Sequence, residues 1–112
     1  MPRKSLHERI KEAELGKTGQ PEVDVPGGRV DGVLRRKAFQ VAVNPTLAEL
    51  RDDVRVLKKA PQKQKVVIVN KEKYVPQAEQ VMKEEGLSGT ARTPRRPGQP
   101  PLRSVHVRKA KR

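Results

Sequence analysis

The sequence predicts a single α/β domain, a central mixed β-sheet flanked by helices in the order α-β-β-β-α-β-α-β. Three observations carry that expectation. The chain has 112 residues, the length of one ordinary domain. Helical and strand periodicities alternate along it instead of falling into separate blocks. The run Val66-Val67-Ile68-Val69 is apolar throughout, as in a strand covered on both faces.

Ser5-Leu6-His7-Glu8 has the spacing of a capping box, and Leu6, Ile10 and Ala13 then share a helical face, which predicts a helix over 5–15. Gly16 and Gly19 bracket its stop. Glu22-Val23-Asp24-Val25 alternates as a strand and turns at Pro26-Gly27-Gly28. A second strand follows over 29–36, with Arg35-Arg36-Lys37 as a charged turn. In 38–43, Phe39, Val41 and Val43 point one way, and Ala38, Gln40 and Ala42 the other. Asn44-Pro45 ends that strand. Thr46 and Glu49 form a second capping box, and Leu47, Leu50, Val54 and Leu57 predict a helix over 46–59. The buried strand 66–69 comes next, then a helix over 76–85 with Pro76 at its first position and Gly86 just past its end. Together these elements form a core over 5–87. Residues 88–101, rich in Gly, Pro, Thr and Arg, read as a basic loop, and 102–108, with Val105 and Val107 alternating, as a last strand.

Composition limits what the domain can do. One Phe, one Tyr and no Trp leave an aliphatic core and no aromatic platform for stacking bases. Without Cys there is no disulfide, no thiolate-held zinc and no thiol nucleophile. No apolar run reaches the roughly 18 residues of a membrane span, and no export signal is written in this chain, so the expectation is action in the cytoplasm. The formal net charge is +13, which points to a polyanionic partner, nucleic acid first. The charge is uneven. Arg92, Arg95, Arg96, Arg103, Arg108, Lys109, Lys111 and Arg112 lie in a stretch, 88–112, that has no acidic residue. With Arg35, Arg36, Lys37, Lys58 and Lys59, the residues Arg95, Arg96, Arg103 and Arg108 are the candidate phosphate contacts.

The string from Gly28 to Val43, GRVDGVLRRKAFQVAV, resembles the core hairpin of the PD-(D/E)xK nuclease superfamily, the restriction-endonuclease-like fold found also in bacterial toxin nucleases. The resemblance spans roughly 5–87. It implies a metal-dependent endonuclease hydrolysing phosphodiester bonds, with DNA favoured over RNA. Asp31 stands in the Asp position and Gln40 in the acid/Gln position. A Glu of the leading helix (Glu12, with Glu8 and Glu14 as alternatives) would complete a site for one or two Mg²⁺ or Mn²⁺ ions. Such ions take hard oxygen ligands and activate a bound water. The sequence departs from the family at residue 42, where the catalytic Lys is replaced by Ala. Ala42 is then an inactivating replacement, or the mark of a natural non-catalytic relative, or Lys37 supplies the amine from the turn. Toxin nucleases of this kind meet an acidic inhibitor or immunity-type partner, which the basic surface would also suit. Cutting both strands would favour a dimer.

The alternative is a basic nucleic-acid-binding protein without catalysis. His7 and His106 are too far apart in sequence for a helical zinc pair, and no phosphate-binding glycine loop is present.

Overall fold

Ser5 and Thr46 open two helices as their side chains dictate. In the computed structural model, which describes residues 5–95 and 98–108, α1 runs Leu6–Leu15. The Ser5 hydroxyl accepts the Glu8 N–H at 3.1 Å, satisfying one of the orphan donors of the first turn. Helix α2, Leu47–Lys58, begins with a full capping box. Thr46 Oγ1 accepts from Glu49 N at 3.2 Å, and Glu49 Oε1 accepts from Thr46 N at 3.1 Å. Helix α3, Val75–Glu84, follows a short 3₁₀ turn at Glu72–Tyr74 and carries Pro76 in its first turn, where no N–H is needed. Gly86, at φ +70°, closes it in a Schellman motif, with Leu87 N donating to Met82 O at 2.8 Å and Gly86 N to Lys83 O at 3.2 Å.

Among the described residues, six strands form one mixed sheet in sequence order: β1 Gln20–Val25, β2 Gly28–Leu34, β3 Lys37–Ala42, β4 Gln64–Val69, β5 Gly89–Arg92 and β6 Ser104–Val107. The first three are antiparallel neighbours; β3–β4 and β4–β5 are parallel; β5–β6 is antiparallel. Helices α2 and α3 are the crossovers of the two parallel connections. Successive right-handed crossovers in one direction place both on the same face. The cores follow. Ala38, Ala42, Val67 and Val69 pack with Leu50, Val54, Leu57, Val81 and Met82 beneath α2 and α3. The opposite side chains, Phe39, Val41, Val66 and Ile68, pack with Ile10 and Leu15 of α1. The small-residue face of β3 is therefore not solvated: it is small because α2 lies against it.

Two glycines are fixed by contact. A Cβ on Gly32 would lie 2.5 Å from Phe39 Cζ, so the Phe39 ring can lie across β2 only because position 32 has no side chain. A Cβ on Gly89 would lie 2.2 Å from the Lys65 carbonyl oxygen, so β5 approaches β4 only through glycine.

The predicted element order holds through α3. The correction lies in 88–101, read from the sequence as loop. Gly89–Arg92 is a strand, β5, registered Val66↔Thr90, Val67↔Ala91 and Ile68↔Arg92. Its residues carry only one apolar side chain, Ala91, so periodicity could not reveal it; pairing with β4 and packing on α3 make it a strand. The last strand is shorter than expected, Ser104–Val107 within 102–108. Arg96, Lys109, Lys111 and Arg112 lie outside the described residues.

Candidate functional site

Asp31 sits where β2 and β3 part. The paired register runs from Leu34↔Lys37 to Gly32↔Phe39. At the next step, side chains take over from the backbone ladder. Val41 N donates to Asp31 Oδ2 at 2.7 Å, and Asp31 N donates to Gln40 Oε1 at 2.7 Å. The Gln40 amide then donates to the Arg29 and Asp53 carbonyls at 3.3 and 3.4 Å, which accounts for its burial. From α1, His7 Nε2 lies 3.3 Å from Asp31 Oδ2. Lys11, on the same helical face, is buried against the sheet with its ammonium 3.0 Å from Glu8 Oε1. Burial pulls its pKa down, and the hydrogen bond and charges of Glu8, Glu22 and Asp31 more than restore it.

Asp53 is the residue that sequence reasoning missed. It lies half-buried on α2, and burial first, then the negative charges of Asp31, Glu49 and Asp52, pushes its carboxyl up to about 7. A buried position beside a core helix face (Leu50, Val54, Leu57) was the available signal, but the Asp52-Asp53 pair reads from sequence as an ordinary charged surface.

A second cluster lies at the start of β3. Glu14 of α1 is nearly enclosed between Lys37 of β3 and Arg92 of β5. Lys37 Nζ donates to Glu14 Oε2, and Arg92 Nη2 stands 2.7 Å from the same oxygen. Burial raises the Glu14 carboxyl, but the two cations outweigh it and hold it below the ordinary carboxylate range. Lys37 is thus engaged here, on the α1 face, and does not supply an amine to Asp31.

This cluster borders two adjoining cavities. The larger, about 660 Å³, is lined by Lys37, Lys63, Lys65, Arg92, Arg95 and His106 among others, with no carboxylate among the described lining residues. The other, about 640 Å³, shares Lys37, Gln64 and Arg95 with it and adds Lys17, Arg35, Arg36 and Glu14. Lys65 is spoken for: its ammonium donates to the carbonyls of Leu57, at 3.1 Å, and Ala60 at the end of α2, and burial lowers its pKa. Of the residues read from sequence as phosphate contacts, Arg35, Arg36, Lys37 and Arg95 line these cavities. Lys58, Lys59, Arg103 and Arg108 are exposed but are not among the lining residues.

The metal set expected from sequence is assembled in part. Asp31 and Gln40 meet, but Asp31 Oδ2 and Gln40 Oε1 each already accept a backbone N–H. Glu12 is exposed on α1. Ala42 lies in the apolar cluster beneath α2 and α3, so its slot is a core position here. Among the described residues no group of three or more His, Asp or Glu side chains is arranged to hold a metal ion. Among the described residues, no helix is long and apolar enough to cross a membrane. No family model, curated protein or solved structure matches the chain.

Proposed function

We propose that this domain binds nucleic acid in the groove formed by the two basic cavities, without catalysing cleavage. One observation carries the reading: a concave cavity of about 660 Å³ whose described lining holds no carboxylate and includes the exposed Lys63 and Arg95 beside Lys37 and Arg92, in a chain of net charge +13. Concave walls rich in cations focus the field on an anionic ligand, and each neutralised phosphate releases counterions. A flat anionic membrane would not enter such a groove. The test is an anisotropy titration of labelled DNA and RNA oligonucleotides against the intact chain over a salt series. Four to six phosphate contacts give a slope of log affinity against log salt of roughly −3 to −5. Arg95→Glu with Lys63→Glu, both exposed, should abolish binding while the fold persists by circular dichroism. Absence of binding at 50 mM salt overturns the reading.

The second reading is the metal-dependent endonuclease, and two observations favour it. The meander β1–β3 followed by α2 and a parallel β4 is the order expected of the restriction-endonuclease-like core. The Asp53 carboxyl, raised by burial and then by the charge of Asp31, carries a repulsion that a cation would relieve. Plasmid nicking and RNA cleavage in Mg²⁺ or Mn²⁺, lost in Asp31→Ala, would establish it; the same turnover in EDTA would exclude it.

A further inference from the structure

Helix α1 packs on β1–β3 and, through Ile10 and Leu15, on Val66 and Ile68 of β4. The register Val66↔Thr90↔His106 and Ile68↔Arg92↔Ser104 puts Thr90, Arg92, Ser104 and His106 on that same sheet face, beyond β4. They form the floor of the larger cavity, whose far wall includes Arg95, Gln99, Pro100 and Pro101. Arg92 is the unusual member. Its residue is 3% exposed, yet it lines the cavity. Nη1 donates to the Thr93 carbonyl at 3.3 Å. Nη2 stands 2.7 Å from Glu14 Oε2 but out of line with it, and no other described acceptor is aligned with its N–H bonds. A buried guanidinium with unused donors beside a cationic cavity is a place made for an oxyanion, because its planar fork matches phosphate.

Size and lining narrow the class. About 660 Å³ falls in the range of small-ligand pockets, ~300–1,000 Å³. That admits one or two nucleotides and excludes a duplex. Val66, Pro100 and Pro101 supply apolar surface for a base or sugar. Resting on the nucleic-acid reading above, we propose that this pocket seats a nucleotide unit of a single strand, with its phosphate against Arg92 and the exposed Lys63 and Arg95 and its base against Pro100, Pro101 and Val66.

The test uses the intact chain and three probes at one salt concentration: a labelled single-stranded 12-mer, the blunt duplex of the same sequence, and a mixture of free nucleoside monophosphates as competitor. Single strands should bind at least tenfold tighter than duplex. Arg92→Lys keeps the charge and loses the fork; it should weaken single-strand binding about tenfold, and duplex binding by much less. If that variant does not fold, His106→Ala, at an exposed position on the same floor, should weaken single strands severalfold. Duplex binding equal to or tighter than single-strand binding, with both variants neutral, overturns the pocket proposal and leaves the nucleic-acid reading standing. Displacement of the strand by free monophosphates at equal nucleotide concentration overturns the strand as the occupant. Failure of every nucleic-acid probe to bind overturns both readings together.

Discussion

Replacing Asp53 by Asn should stabilise the domain, and only above the acid range. The carboxyl of Asp53 ionises near 7 in the folded chain, because burial and the charge of Asp31 disfavour its anion, against about 3.9 in an unfolded chain. A raised carboxyl pKa means that the folded state holds the proton more tightly. The wild-type chain therefore loses stability as pH rises from about 4 to about 7, by up to ~1.36 kcal/mol per pH unit. Over that window the loss reaches an upper figure of about 4 kcal/mol, and solvent screening at a half-buried site reduces it to about 2–4. That is a large share of the 5–15 kcal/mol typical of a domain. Asn keeps the backbone carbonyl that Gln40 uses and removes the charge. Urea melts of both proteins at pH 4 and pH 8 measure the difference. The variant should match wild type at pH 4 and exceed it at pH 8. Equal offsets at the two pH values, or a wild type that gains stability between them, refute the argument. Asp31→Asn supplies the internal control: removing the neighbouring charge should bring the Asp53 transition to lower pH.

Four further outcomes follow from particular contacts. Glu14→Gln leaves Lys37 and Arg92 facing each other in a nearly closed space and should cost about 3–5 kcal/mol, as broken buried pairs do; thermal melts should show part of that loss recovered when an oligonucleotide is added. Because the Glu14 pKa is lowered on folding, its contribution is present above about pH 4.3 and is lost as pH falls through its folded value, so acid unfolding of wild type should include a transition that Glu14→Gln lacks. Gly32→Ala drives a methyl into the Phe39 ring and should cost about 1–3 kcal/mol by denaturant melting. Ala42→Lys places an ammonium in the apolar cluster with Leu50 and Val69 and should cost about 3 kcal/mol or more; an unchanged melting temperature would show that the lysine escapes beside Asp31 and would strengthen the endonuclease reading.

The parts of this fold that were legible in the sequence are those determined locally. Ser5 and Thr46 satisfy their own helix ends, Gly86 closes α3, and the alternation of 38–43 is a property of the strand itself. What the sequence concealed depends on partners far along the chain. Strand β5 exists because Gly89 lets it approach Lys65, and nothing within Gly-Thr-Ala-Arg announces that pairing. The same reason governs the site. Asp31 and Gln40, nine residues apart on neighbouring strands, could be paired by counting along a hairpin, and they do meet. Glu14, Lys37 and Arg92 come from α1, β3 and β5, and only the finished sheet brings them together. Alternation along β3 placed Gln40 and Ala42 on one face correctly, but it could not say that α2 would bury that face. An alanine that reads as a vacated catalytic slot in one dimension is in three dimensions a close-packed contact, whereas the cationic groove lies at the start of β3–β5, where turn, loop and strand residues converge. The charge of the chain predicted a polyanion; the fold decides where it would lie.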